Sequence, residues 1–294
     1  MTQPDRAEGG RVAAVVVDYD AGPVLAECVR SLREDGVGRV VVVENGSAAT
    51  AEAALGTAAH RVPLMVTGRN IGYGAGANRG VAASGTTELV LVCNPDLRLH
   101  PGATRCLVAA LDARPEWAIV GPRILNTAGA VYPSVRRFPS MVDAAGHALL
   151  ALAWPDNPFT RRYRPAAGGG GEPRAADWVS GACFLARRAV LEELGGFDEG
   201  YFMFAEDMDL CWRAHRAGWS VGVEPRAVVT HAEGVSRRRH PYRMLVAHHR
   251  SALRFAARTA TSWRRLSLLP AALVLGIRLV LAFADQLLRR RHER

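Results

Sequence analysis

The 294-residue chain contains no lysine, so all 37 of its basic residues are arginine. We read this as the codon bias of a GC-rich genome. It also removes the Gly-Lys-Ser/Thr that a P-loop requires, and no Gly-x-Gly-x-x-Gly run stands in for a Rossmann dinucleotide site. Cysteine is scarce. Cys28, Cys93, Cys106, Cys183 and Cys211 form no Cys-x-x-Cys pair and no histidine-spaced metal pattern. They are expected as free thiols in apolar surroundings in a reducing compartment, which excludes a disulfide scaffold and a zinc ribbon. The polar opening MTQPDRAEGGR has no apolar h-region, so no signal peptide is expected. No Ser/His/Asp arrangement for nucleophilic catalysis is evident.

Charge is also unevenly placed. Residues 231–294 hold 14 arginines against three acids, a net of +11, whereas the first 230 residues hold 23 arginines against 25 acids, a net of −2. Such asymmetry points to nucleic acid or to an anionic membrane surface. The tail interleaves few aromatics with its arginines and carries the apolar run Leu266–Leu288, broken by Pro270, Arg278 and Asp285. That pattern fits lipid better than RNA, so no nucleic-acid partner is expected. The run has the length of a span but carries charge at two points, and an interfacial or re-entrant helix is favoured over a true span. A helix packed on the rest of the chain or on another subunit stays open. The expected location is the cytoplasmic face of a membrane, peripherally attached.

In the first hundred residues apolar runs alternate with helical spacing. Val12–Val17, Arg39–Val43, Val62–Thr67 and Leu89–Cys93 read as buried strands, the pattern of a doubly wound α/β sheet. Ligands bind such sheets outside the carboxyl ends of the strands. Polar clusters stand at those ends: Asp18–Asp20, Glu44–Ser47 and Asn94–Asp96, with Asn70–Asn78 opening the helix after the third strand. The glycines at 72, 74 and 76 serve phosphate binding and close helix–strand packing about equally well as explanations. Residues 126–177 are rich in proline and glycine and read as a long irregular or mobile section, either a solvated loop or a lid. Its arginines, Arg136-Arg137 and Arg161-Arg162-Tyr163-Arg164, are candidates to meet a diphosphate.

The stretch Gly195–Leu210, GGFDEGYFMFAEDMDL, reads as a loop running into a helix that starts near Asp207 and stops at Gly218. Helix capping and an Asp209–Arg213 ion pair four residues apart explain part of its acid content. They do not explain Glu206 and Asp207 side by side behind aromatics. Adjacent carboxylates in apolar surroundings repel, one pKa should rise, and the pair becomes a candidate general base. Downstream, Val221–Val223 and Ala227–Thr230 read as short strands, with His231 at the end of the second, where it serves equally well as a structural histidine or as a partner of Asp96 in a metal site.

Taken in order, Asn94-Pro95-Asp96, Asn70-Ile71-Gly72-Tyr73-Gly74 and the run GGFDEGYFMFAEDMDLCWRAHRAGWSVGVEP followed by His231 resemble the family 2 glycosyltransferases, inverting enzymes of the GT-A fold. That fold is a Rossmann-like mixed sheet flanked by helices. The stretch Tyr132–Ser140, YPSVRRFPS, resembles the rhamnosyltransferase-like subgroup. The resemblance implies a catalytic domain over 11–236, preceded by a disordered segment 1–10 and followed by a helical, membrane-associating extension over 237–294. It implies that Tyr19, Glu44, Asn45, Asn70, Gly72, Asn78, Asn94 and Asp96 bind the nucleotide sugar. It makes Asp96 and His231 ligands of a Mg²⁺ or Mn²⁺ ion, Asp207 the catalytic base, and Glu206 with Trp178 the acceptor side. The implied partners are dTDP-rhamnose and a polyprenyl-linked or polysaccharide acceptor. Oligomerisation stays open, as do a UDP-hexose, UDP-galactofuranose or GDP-sugar donor, and a non-catalytic nucleotide-sugar-binding scaffold. Glu44 departs from the family's usual Asp, Asp18 and Asp20 stand where Thr and Asn are common, and Asn-Pro-Asp supplies one carboxylate where other members have two.

Overall fold

The computed structural model describes residues 10–56, 61–150, 154–163, 171–232, 241–260 and 268–292. The expected disordered segment 1–10 lies outside them apart from Gly10, as do Arg164 of the lid and residues 237–240 at the head of the extension.

The four expected strands form: β1 (Val12–Asp18), β2 (Arg39–Glu44), β3 (Leu64–Val66) and β4 (Leu89–Cys93), separated by α1 (Val24–Glu34), α2 (Ala48–Leu55) and α3 (Tyr73–Ala83). They pair in parallel in the order β3-β2-β1-β4. β1 and β4 are buried at every residue, as apolar runs without alternation require in a sheet covered on both faces. The sheet continues through four further strands. β5 (Leu97–Leu99), α4 (Ala103–Asp112) and β6 (Trp117–Leu125) follow β4. β10 (Cys183–Arg187) inserts antiparallel between β4 and β6. β11 (Ser220–His231) is one strand rather than two, with a register shift between Glu224 and Val228 where the sequence shows a gap. The result is a mixed sheet, parallel at its core, with helices on both faces and an apolar cluster on each.

The glycines of α3 mostly serve packing. A Cβ at Gly80 would run into Val15 and Val43, and one at Gly76 into Val17 and Asn45, so α3 lies against β1 and β2 closer than any side chain permits. Gly72 is different. It precedes the helix at φ +93°, and a Cβ there would collide with the Phe202 carbonyl.

The expected irregular lid contains structure. β7 (Val135–Arg136) pairs antiparallel with β9 (Trp178–Val179). α5 (Met141–Leu150) begins at Ser140, whose Oγ accepts the Asp143 N–H at 3.0 Å, and α6 (Pro158–Tyr163) follows. β8 (Arg174–Ala176) joins the main sheet against β11. Proline and glycine density misled here because the prolines fall at the boundaries of these short elements, where they are tolerated.

After β10 come α7 (Arg188–Glu193), the loop 194–205, and α8 (Glu206–Arg216). The extension forms two helices, α9 (Pro241–Thr259) and α10 (Leu268–His292). α10 folds back on α9, with the Tyr242 and Phe283 rings 4.9 Å apart, and packs on α5, where Arg278 donates to the His147 carbonyl at 3.1 Å. Among the described residues no helix is long and apolar enough to cross a membrane. One face of α10 is therefore packed against protein. The other exposes Leu269, Leu273, Ile277, Val280 and Leu281.

Candidate active site

β1, β2 and β4 run in register, so Asp18 and Glu44 lie side by side where their strands end, and Asn94 follows the last residue of β4. The loops after these strands are laced together. Asp20 accepts the Ser47 N–H at 3.0 Å. Asn45 donates to the Gly72 carbonyl at 3.0 Å and accepts from Thr67 Oγ1 at 3.1 Å. Asn70 accepts the Gly72 N–H at 3.0 Å. Tyr19 is half-exposed at the rim. The expected gathering of Tyr19, Glu44, Asn45, Asn70, Gly72, Asn94 and Asp96 at one sheet edge is thus present.

Two of the residues expected to bind the nucleotide sugar, Glu44 and Asn78, are turned to other work within the protein. The Glu44 carboxylate is fully buried, and its Oε1 accepts N–H groups of Gly46 and Asp20, bracing the loops that follow β2 and β1. Burial and the neighbouring Asp18 push its pKa up to about 8, and burial raises Asp18 too. Side by side and buried, the two carboxylates therefore resist carrying two full negative charges beside the nucleotide loops. Asn78 points away from the rim. Its amide accepts the Phe197 N–H at 2.8 Å and donates to the Phe197 carbonyl at 2.9 Å, clasping the loop that leads to α8.

The second half of the site comes from β5, β11 and α8. β11 pairs antiparallel with β5 so that His231 faces Leu97, and this register sets His231 Nε2 3.0 Å from Asp96 Oδ1 and 3.3 Å from Asn94 Nδ2. Two ligands of one cation, each at about 2.1 Å on perpendicular axes, would lie about 3 Å apart. The Asp96–His231 pair therefore fits a divalent ion, as its oxygen and nitrogen donors do chemically. Among the described residues no group of three or more His, Cys, Asp or Glu converges, so the remaining positions would fall to diphosphate oxygens and water.

Glu206 and Asp207 open α8. Glu206 is buried, and burial with the adjacent Asp207 charge holds its pKa well above the usual carboxylate range. Asp207 keeps partial exposure. Its pKa is raised by burial, while N–H donors at Gly181 (2.7 Å) and Met208 (2.8 Å) and the Arg136 charge act against the rise. Both carboxylates are raised, not one, and burial contributes more than repulsion. Glu206 is thereby the more hidden of the two, and Asp207 is the one that keeps solvent access. Trp178 is buried beside them and donates to the Arg137 carbonyl at 3.1 Å. The Arg136 guanidinium lies 5.1 Å from the centre of the Trp178 ring. Arg136 is the lid arginine that reaches this site, whereas Arg162 pairs with Asp143 at 2.7 Å and Arg161 donates to the Asp156 carbonyl.

The turn that presents this pair is strained. Phe204 and Ala205 have φ of +70° and +63°, in the left-handed region that non-glycine residues avoid. Each such residue costs on the order of 1–3 kcal/mol unless its surroundings hold it.

A sequence profile described as "Glycosyltransferase like family 2" matches residues 9–263. The chain belongs to this family. The family 2 match runs past the sheet and through α9. Among curated proteins, the chain is 37% identical over 263 residues to an N-acetylglucosaminyl-diphospho-decaprenol L-rhamnosyltransferase of Mycobacterium tuberculosis, covering 85% of each. It is 26% identical over 155 residues to the rhamnosyltransferase WbbL of Escherichia coli K12, covering 50% of this chain and 56% of that one. Among solved structures, GalNAc-T7 with UDP, GalNAc and Mn²⁺ aligns with a TM-score of 0.58 at 16% identity, over 76% of this chain and 43% of that one. S. aureus TarS 1-349 aligns at 0.53 and 14% identity, over 90% and 70%. The fold is that of GT-A glycosyltransferases, as the sequence motifs imply.

Proposed function

We propose that the chain transfers L-rhamnose from dTDP-rhamnose, with inversion, to a hydroxyl of a polyprenyl-diphosphate-linked sugar in cell-envelope glycan synthesis. The observation that carries this reading is the 37% identity over 85% of both chains to a rhamnosyltransferase whose name specifies a diphospho-decaprenol acceptor. The site chemistry agrees with it. Tyr19, Asn45, Asn70 and Gly72 border the place for the nucleotide, and Asn94, Asp96 and His231 border the place for its diphosphate. A divalent cation held by Asp96 and His231 would supply charge neutralisation for the leaving diphosphate. The acceptor oxygen forms its bond to the anomeric carbon on the face opposite the departing phosphate oxygen, which keeps the electron pair of the broken bond. Asp207 takes the hydroxyl proton as that bond forms. Trp178 and the buried Glu206 shape the acceptor side.

The test is a donor screen with purified protein, Mg²⁺ or Mn²⁺ and a polyprenyl-diphosphate-linked N-acetylglucosamine. Release of dTDP from dTDP-rhamnose should exceed release from UDP-hexoses, UDP-galactofuranose and GDP-sugars by at least tenfold. Preference for any of those donors would remove rhamnose from the assignment, and transfer from none would leave the nucleotide-sugar-binding scaffold.

A membrane acceptor requires a membrane-facing surface. The α10 residues Leu269, Leu273, Ile277, Val280 and Leu281 recur at helical spacing on one exposed face. Exposed Leu149 and Leu150 of α5, the helix on which α10 packs, with Trp154 just beyond, extend the apolar area. This face fits insertion into the interface of an anionic bilayer. Flotation with phosphatidylglycerol vesicles should carry the protein upward, and Leu273→Glu with Ile277→Glu should leave most of it at the bottom. Equal flotation of both proteins would assign this face another role.

A further inference from the structure

α9 lies against the loop that carries the catalytic acids, and its contacts account for arginines that charge counting assigns to a membrane. Arg254 donates to both oxygens of Asp198 at 2.9 Å. Arg258 reaches Asp198 Oδ2 at 2.8 Å and Asp209 Oδ1 at 3.0 Å. Asp209 is fully buried in α8, two residues beyond Asp207, and its other oxygen pairs with Arg213 at 2.7 Å. Ser251 Oγ donates to the Met203 carbonyl at 2.8 Å, the residue before the strained pair Phe204–Ala205. His248 packs edge-on against the Phe204 ring, with centroids 5.3 Å apart. A Cβ on Gly200 would collide with the Arg254 guanidinium, so this glycine lets the arginine lie directly over the loop. On its other side the loop rests on the start of α3, where the Phe202 carbonyl accepts the Tyr73 N–H at 3.1 Å.

We infer that α9 is a clamp that holds the 198–205 loop in its strained shape and so aims Asp207, with Arg258 as the principal positioning residue and Arg254 and Ser251 as supports. A two-residue left-handed turn without glycine relaxes unless it is held from outside. The nucleotide side is braced mainly by contacts that α9 does not touch, the strand ends and the Asn45 and Asn70 hydrogen bonds to Gly72. Loss of the clamp therefore disturbs the base and spares the donor. Arg258 does not touch substrate. It acts through Asp209 and Asp198 on either side of the turn. The inference rests on Asp207 being the base, as proposed above.

Arg258→Ala should lower kcat at least tenfold while the KM for the donor and the affinity for dTDP stay within about twofold. Arg258→Lys should recover part of the loss. A groove of about 540 Å³ lined by Arg250, Leu253, Arg254, Ala257 and Arg258 opens onto position 258, so millimolar guanidinium should partly restore Arg258→Ala. Amide exchange at Met203–Asp207 should accelerate at least tenfold in Arg258→Ala, with β4 amides unchanged. Should that variant fail to fold, Ser251→Ala gives the same readouts at smaller amplitude. An unchanged kcat, an equal loss of donor affinity, or unchanged exchange at Met203–Asp207 would each overturn the clamp. Asp207→Asn run in parallel separates the two claims. If Asp207→Asn is inactive and Arg258→Ala is normal, the clamp alone fails. If exchange accelerates in Arg258→Ala while Asp207→Asn keeps full activity, the assignment of the base fails and the clamp stands as a structural device.

Discussion

Asp207→Asn is expected to retain donor binding and to lose at least a hundredfold in kcat, the usual lower range for removal of a general base. The amide keeps the size of the side chain and one acceptor oxygen. It cannot take the proton of the acceptor hydroxyl. Donor affinity should hold because the proposed nucleotide site lies at the ends of β1, β2 and β4, on elements that Asp207 does not brace. The pH profile supplies a second readout. The base is active when ionised, so rate is lost as pH falls through its pKa. Burial raises that pKa above the ordinary Asp value of about 3.9, so the acid limb of kcat should begin at a higher pH than an exposed carboxylate would give. The residual activity of Asp207→Asn should lack this limb. Normal turnover in the variant would reduce Asp207 to a helix-opening acid whose two oxygens only accept the Gly181 and Met208 N–H groups.

Asp96→Ala is expected to have the next largest effect. It should raise the donor KM tenfold or more and weaken dTDP binding only when Mg²⁺ or Mn²⁺ is present. His231→Ala should act in the same direction and less strongly, because the remaining carboxylate and the diphosphate still supply the hard oxygen ligands these ions prefer. The two substitutions should be strongly non-additive, since their side chains meet at 3.0 Å. Chelator should inhibit the parent protein. Calorimetry of dTDP binding with and without metal makes the comparison directly. Full activity in excess EDTA would remove the cation from the mechanism, and the Asp96–His231 contact would then be a strand-end hydrogen bond.

Much of this site was legible before any coordinates. The apolar runs ending at Asp18, Glu44 and Cys93 placed three polar clusters at one sheet edge, because a β-branched run without alternation has no exposed face and must be an inner parallel strand. The Asp209–Arg213 pair followed from helical spacing alone, and it forms at 2.7 Å. Other roles were not readable. Asn78 looked like a nucleotide ligand because it follows the glycine run. It clasps Phe197 instead, since the rotation of α3 on the sheet turns its side chain toward the loop after α7. Glu44 was expected among the nucleotide-sugar ligands, and its carboxylate is buried between two loops. Of the helices inside 126–177, α6 carries too few residues to show a period, and α5, MVDAAGHALL, is apolar at nearly every position and shows no clear stripe.

What the sequence determined by itself is what local pattern dictates: the strands and their polar ends, the helix begun by Glu206 and Asp207, the family motifs, and the uneven division of charge. What only the tertiary structure decided is which distant groups meet. The register of β11 on β5 brings His231 to Asp96 across more than a hundred residues. The seating of α9 on the acidic loop turns Arg254 and Arg258 from surface charge into partners of Asp198 and Asp209. Charge counting cannot see such pairing, because a long arginine side chain finds its carboxylate by three-dimensional proximity, and one-dimensional spacing constrains that proximity only within a helix turn or between adjacent strand residues.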